Sequence, residues 1–451
     1  MNKKINFYLT LIIFIGTFLR ILNLSKHSFW CDELLAISLG KHSIKWIIDY
    51  ITYKDAHPPL YYIFIHYMMK FGENEVFLRS LSLFFGVLSI PFSYILGKKF
   101  KNERTGILLS FFISLSPSLI LWSQIIKSYT FFTLLTIFSF ISLLNLIEQK
   151  NKRWIIFFTL INILLLYAHN LSFIVILIEF FTLLTLKKFN FDFFISFLIT
   201  FLFYIPWLIR IPYQLIFTLG IRRPIPTILR FPYTLFYFFF GETINPFNFK
   251  ILLPLFIVYL LIFIKNFKKL FLLEKEKKFL MTASLIFPLI FIFFPSTVPQ
   301  NLIPFSIFWF LLFSLLIENL SVKNILLYFP YLSLIPSLFF YYTDNISQYH
   351  DTSKLIPYRE IYEEIQEIEI EGDLIITTEK IDKDIFAPIQ WYYKGKNQVV
   401  GIEKEEDLEN IEMILKDKKR IFLTLDFVNS SLLSEKIKEI FEKNYKKILE
   451  K

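Results

Sequence analysis

The strongest constraint on this chain is the recurrence of apolar runs near or above the length of about 20 residues that crosses the hydrocarbon of a bilayer. They fall at 5–24, 78–97, 105–122, 129–147, 154–169, 171–186, 191–209, 251–265, 279–294, 301–317 and 324–342. Backbone in lipid must satisfy its own polar groups, so runs of this kind predict helices, about 11 of them. Several are short for a full crossing and call for tilt or kinks. The chain therefore reads as a polytopic α-helical membrane protein, and its 57 Phe and 55% hydrophobic content exceed what a water-soluble core needs. The first run follows a signal-like basic start, "MNKK", but it is long and no small-residue cleavage site follows, so it reads as an uncleaved span.

The net charge of +10 does not point to nucleic acid, because the basic residues cluster in short loops between apolar runs. Lys3 and Lys4, then Lys98, Lys99, Lys101 and Arg104, then Lys150, Lys152 and Arg153, then Lys187 and Lys188, then Lys265 to Lys278 all fall on one side if the N-terminus is cytoplasmic. Residues 25–77, the turns at 123–128 and 168–170, the stretch 210–250 and everything after 342 then face outward. Arg210, Arg222, Arg223 and Arg230 break the rule on that outer side, which suggests an anionic ligand. Cys31 is the only cysteine, so neither an intramolecular disulfide nor a cysteine-based metal site is available.

At 343 the composition turns to mixed charge, and residues 343–451 read as a soluble α/β domain after the membrane region 1–342. "YREIYEEIQEIE" has helical period, "GDLIITT", "NQVVGI" and "RIFLTL" read as strands, and "IFAPIQWYYKG", 404–418 and 432–449 as helices. No glycine-rich phosphate fingerprint is present.

Two outward stretches carry chemistry. In "SFWCDE" Asp32 and Glu33 follow the first span; neighbours on a helix point about 100° apart, so two roles fit better than one symmetrical dyad. One role is a general base or ion ligand; the bland reading is an acidic first turn. In "DAHPPLYY" two prolines force His57 into extended backbone before a helix starting near Pro59. That imidazole suits a phosphate, or with Asp55 a divalent metal; otherwise it caps or packs. Gln124, Lys127 and Tyr129 occupy an outer turn in "SPSLILWSQIIKSYT", His169 ends a span in "LLYAHNLSF", and Arg79 opens one in "FLRSLSLFFG". Singly, the lysine and arginine snorkel and the histidine packs. Together on one face beside hydrocarbon they suit a lipid-linked anionic substrate.

Over residues 15–170 the order of "SFWCDE", "DAHPPLYY", "LRSLSLFFGVLSIPFSYILGKKF" and "WSQIIKSYTFFTLL" resembles the GT-C glycosyltransferases. The likeness is to the branch of the dolichyl-phosphate-mannose protein mannosyltransferases and the bacterial lipid A aminoarabinose transferase. That resemblance implies a GT-C fold and inverting transfer of a sugar from a polyprenyl-phosphate donor to a lipid, glycan or protein acceptor at the outer membrane face. It implies Asp32 as catalytic base, with Glu33 beside it in acceptor binding or charge tuning. Asp55, His57, Pro58, Pro59 and Leu60 match an acidic-x-His-Pro-Pro-Leu motif, and Lys127 the basic residue of the second outer turn. Where relatives carry Arg-Tyr before a late span, this chain has Gln300 and Asn301, so a phosphate contact expected there is either absent or taken over by Arg222 or Arg223. Metal dependence stays open: His57 with a carboxylate such as Asp55 could hold a divalent ion, but no complete ligand set is legible, and no other cofactor is called for. Two other classes stay open: a glycan flippase or transporter, which would need charges through the spans, where Glu179 is the main one, and a ligase or polymerase of diphosphate-linked glycans using Arg222 and Arg223.

Overall fold

The computed structural model describes residues 3–149, 152–220, 227–241, 243–293, 297–321, 324, 327–345, 353–410, 415, 418, 420–425, 431–444 and 446–447. The chain forms two compact units, one of residues 1–24 and 42–350, the other of residues 25–41 and 351–451.

In the first unit every expected apolar run carries helix. Among the described residues six helices are long and apolar enough to cross a membrane, and a seventh if the bent pair Glu103–Leu115 and Pro117–Ser123 is one span. The other expected runs carry shorter or broken helices. The run at 279–294 lies in a 17-residue helix, Lys275–Phe291. The run at 324–342 breaks into Phe329–Leu332 and Ile335–Tyr342, because Pro330 and Pro336 each sit in a first turn, where the missing N–H costs nothing. Phe14, Phe201, Phe203 and Phe256 stand exposed on the helices, an arrangement that water penalises and hydrocarbon does not. This unit is a membrane domain.

Its centre is α8 (Tyr129–Gln149), with α5 (Glu75–Phe100) packed on it and on α6 (Glu103–Leu115). The α5–α6 approach depends on absent side chains: a Cβ on Gly97 would lie 2.9 Å from the Cα of Gly106. After α6 the chain bends by 58° into α7 (Pro117–Ser123). Pro117 cannot donate to the preceding turn, and Arg20, fully buried on α1 (Lys3–Ile21), fills the acceptors that the break frees. Its guanidinium donates to the carbonyls of Ser114 (3.0 Å), Ile113 (2.8 Å) and Gly16 (2.9 Å) and to Ser123 Oγ (3.1 Å). Glu179, the charge-bearing residue expected mid-span, is held between helices by Asn162 Nδ2 (2.8 Å) and by Ser139.

The second unit holds a three-stranded parallel sheet, β1 (Leu374–Thr377), β2 (Gln398–Gly401) and β3 (Ile421–Thr424), in the order β2-β1-β3. Strand period two sends Ile375 into a core with Tyr358, Tyr362 and Ile389, and Leu374 and Ile376 into a second core with Ile437 and Phe441. Both faces are therefore covered, as a parallel sheet requires, and the layers are α/β/α. The expected strands all form; within 404–418 the described residues include a 3₁₀ helix, Glu405–Asn410. This unit also takes in α2 (Cys31–Lys41), so the acidic pair belongs to it.

Candidate functional site

Asp55 ends α3 (Ile44–Lys54), and α4 (Leu60–Met68) starts one residue after Pro59, as the two prolines predict. Asp55 is buried, with both carboxylate oxygens engaged. Oδ1 accepts from Ala56 N–H (2.5 Å) and from His57 Nδ1 (3.0 Å), and Oδ2 from the Tyr62 hydroxyl. Burial pushes the carboxyl pKa up, but the His57 charge and hydrogen bond, Lys127 and Tyr62 outweigh it and bring it from 3.8 down to about 2. The group is a fixed anion at physiological pH, and it commits His57 Nδ1, turning Nε2 to other partners.

The loop backbone is pinned from distant parts of the chain. Gln214 Nε2, on the helix Ile211–Gly220, donates to the carbonyls of Ile51 (2.9 Å) and His57 (3.1 Å). Asn170 Nδ2 donates to the carbonyl of Ala56 (2.7 Å) and to Gln214 Oε1 (2.9 Å). Buried carbonyls need such partners, and here side chains supply them.

The rings of Tyr129 and His169 lie 6.4 and 5.4 Å from that of His57, centroid to centroid. His169 stacks on Phe132 (5.0 Å), and its Nδ1 accepts from Leu171 N–H (3.1 Å), which puts the proton of the neutral ring on Nε2. That atom is buried, with no hydrogen-bond partner among the described residues. Tyr129 Oη donates to Asn301 Oδ1 (3.1 Å). So the residue that replaces the expected arginine-tyrosine pair does reach this cluster, as an acceptor. Lys127 is buried in the turn before α8, and its carbonyl accepts from Ser82 Oγ (3.2 Å). A snorkelling lysine would be exposed, and this one is not.

Arg79 is also buried, but its Nη1 donates to the carbonyl of Leu24 (3.0 Å), tying α5 to the chain just after α1. Arg210 reaches Thr52 Oγ1 (2.9 Å), and Arg230 lies near the Ile292 carbonyl (3.4 Å). Arg222 and Arg223 fall outside the described residues.

Asp32 and Glu33 form the first turn of α2 in the second unit. Glu33 is buried and its Oε2 accepts from Trp30 N–H (3.4 Å), whereas Asp32 is partly exposed. The two adjacent carboxylates thus face different surroundings, as the 100° offset requires.

For a metal the donors do not fit: Asp55 and His57 spend their near atoms on each other, and no three His, Cys, Asp or Glu side chains among the described residues are placed to share an ion. Reading the sequence missed Tyr62, Asn170 and Gln214. Tyr62 lies within "DAHPPLYY", and Gln214 is the one amide in the mostly apolar decapeptide "IPYQLIFTLG", the only local hint it gives.

No protein-family model and no curated protein sequence matches the chain. Solved structures do. ArnT, the lipid A aminoarabinose transferase, from Cupriavidus metallidurans superposes in its apo state with a TM-score of 0.57 at 11% identity, over 92% of this chain and 89% of that one. Its complex with undecaprenyl phosphate gives 0.55 at 11% over the same shares. The Archaeoglobus fulgidus oligosaccharyltransferase AglB, in complex with an inhibitory peptide and a dolichol-phosphate, gives 0.51 at 13%, over 82% of this chain and 58% of that one. These likenesses establish the GT-C fold.

Proposed function

We propose that this chain is a membrane glycosyltransferase that takes a sugar from a polyprenyl-phosphate donor and transfers it with inversion to a lipid, glycan or protein acceptor at the outer face of the membrane. The observation that carries the reading is the His57 cluster in a GT-C fold: an imidazole fixed through Nδ1 by an ionised Asp55, with a buried lysine and the unpartnered His169 Nε2–H close by. A buried His169 Nε2–H with no acceptor among the described residues, beside a buried lysine, suits an anion, and two neighbours of this fold are solved with a lipid phosphate.

In the reaction the acceptor oxygen or nitrogen attacks the anomeric carbon and the bond from that carbon to the phosphate oxygen breaks, its electron pair leaving with the phosphate. His57 and Lys127 face the phosphate charge as it develops, His169 donates its Nε2–H to it, and Asp55 keeps the imidazole oriented. Asp32 takes the acceptor proton; one carboxylate suffices for a single displacement. Glu33, turned to its own helix start, tunes the charge around Asp32. Arg79 and Tyr129 support the phosphate side, and Arg222 and Arg223 are assigned there on chain position. The N-terminus is cytoplasmic, and residues 343–451 are extracytoplasmic.

The test incubates purified protein and membranes with a panel of radiolabelled polyprenyl-phosphate sugars, beside Asp32→Asn and His57→Ala. One donor should be consumed, with Asp32→Asn slower by about 10²–10⁴-fold. Consumption of no donor, or a fully active Asp32→Asn, sinks the assignment.

A further inference from the structure

The helix that bears the acidic pair is gripped along its whole length by residues more than 300 positions away in sequence. Before its first turn, the Phe29 ring is fully buried against Trp391 (5.9 Å between centroids) and Tyr392 (6.5 Å). Phe29 N–H donates to the Tyr392 hydroxyl oxygen at 2.6 Å. Ser28 Oγ accepts from Arg359 N–H (2.9 Å) and donates to Glu360 Oε2 (3.2 Å). Mid-helix, Ser38 Oγ accepts from Phe386 N–H (2.8 Å). At the last turn the Lys41 ammonium lies over the rings of Trp391 (4.8 Å) and Phe386 (5.2 Å). Between those anchors Leu34, Ala36, Ile37 and Leu39 are all fully buried.

An 11-residue helix is marginal alone in water, so its form and direction must come from what it packs on. Here that partner is the segment 358–392. From this we infer that the α/β domain acts as a clamp on α2, with Phe29 and Tyr392 as positioning residues for the turn that carries Asp32, and that it sets turnover rather than donor affinity. The inference rests on the proposed role of Asp32. The donor-phosphate residues, by contrast, are held by Tyr62, Asn170 and Gln214 within the other unit, and none of those contacts uses the clamp.

The test uses the full-length protein in nanodiscs, as Phe29→Ala, Phe29→Leu, Tyr392→Phe and Asp32→Asn. Three quantities are read: amide hydrogen exchange, affinity for undecaprenyl phosphate, and kcat and KM on the donor that the panel identifies. Phe29→Ala should speed exchange at 31–41 while strand 374–377 stays protected. Its kcat should fall by about 10–100-fold, the cost of a reacting group displaced by about an ångström. Undecaprenyl phosphate affinity and donor KM should stay within about twofold, since the phosphate residues are untouched. Phe29→Leu, which refills the slot, should recover most of the rate, and Tyr392→Phe should lose less than Phe29→Ala.

Unchanged exchange at 31–41 in Phe29→Ala overturns the clamp whatever the donor panel returns. Faster exchange with an unchanged kcat overturns the positioning role, as does a loss confined to KM. If strand 374–377 loses protection in Phe29→Ala, Tyr392→Phe decides by the same criteria. A fully active Asp32→Asn would instead strike the assignment of the base and leave the exchange result to speak for the clamp.

Discussion

"SFWCDE" and "DAHPPLYY" lie about two dozen residues apart and read as two halves of one outer-face site, yet they are built on opposite plans. The second is a loop in the helical unit whose carboxylate and whose carbonyls at 56 and 57 are each tied by a side chain, from Tyr62, Asn170 and Gln214. The first is a helix carried by the α/β unit, its acidic turn marked by one buried and one partly exposed carboxylate. At the loop proposed to hold a phosphate the polar contacts go to rigidity, and at the turn proposed to take a proton one carboxylate stays partly exposed. Anion binding rewards preorganised charge, while a base must meet a variable acceptor.

The largest effect that would break this contrast is on stability. Asp55→Ala strands His57 Nδ1, the Tyr62 hydroxyl and Ala56 N–H together, which should cost roughly 3–5 kcal/mol, the range for breaking a buried ionic pair. Asp32→Ala should cost about 1 kcal/mol or less, because a partly exposed side chain leaves less unsatisfied behind. Thermal unfolding of the two variants checks it, and equal losses would end the distinction. Gln214→Leu comes next: it removes donors from two carbonyls and should cost roughly 2–3 kcal/mol. Its kinetic signature should be a raised donor KM, since the His57 loop is what it holds.

Acidification tests the same loop without mutation. The pKa of Asp55 is depressed on folding from 3.8 to about 2, so the stabilisation it brings is fully present above 3.8 and is lost as pH falls toward 2. That window is worth roughly 2–3 kcal/mol. Tyr62→Phe deletes one of the bonds that lower the pKa, so the acid loss should still begin near 3.8 but end at a higher pH and be smaller in total. The variant should also be about 1 kcal/mol less stable at neutral pH. Circular dichroism between pH 2 and 6 reads both, and an acid loss of unchanged size and end point would remove Tyr62 from the network.

What the sequence made legible follows how local each signal is. The apolar runs found helices because length and composition suffice, and the strands at 374, 398 and 421 announced themselves by short β-branched runs after turns. "DAHPPLYY" was readable because two prolines fix a backbone. The break within 324–342 was not legible, because hydropathy does not register what Pro330 and Pro336 do to a helix. The role of Gln214 and the adherence of α2 to the α/β unit were illegible. Each depends on partners far along the chain, Asn170 for one and Trp391 with Tyr392 for the other, and no periodicity encodes a distant partner. Lys127 looked like a snorkelling lysine for the same reason; only the folded chain buries it.

The smallest predicted effect is the sharpest on the acidic pair. If Glu33 serves as the cap of its own helix start, Glu33→Gln keeps a carbonyl oxygen for Trp30 N–H and should change stability by less than about 0.5 kcal/mol, whereas Glu33→Ala loses the acceptor and should cost about 1 kcal/mol. Turnover separates capping from chemistry. Glu33→Gln removes a charge beside Asp32 but no proton acceptor, so its rate should stay within about tenfold of the parent, against the 10²–10⁴-fold expected for a lost general base. A Glu33→Gln as slow as Asp32→Asn, with stability intact, would mean that the buried carboxylate is the base and the partly exposed one its neighbour. The order of the two roles, Asp32 before Glu33, hangs on that one amide.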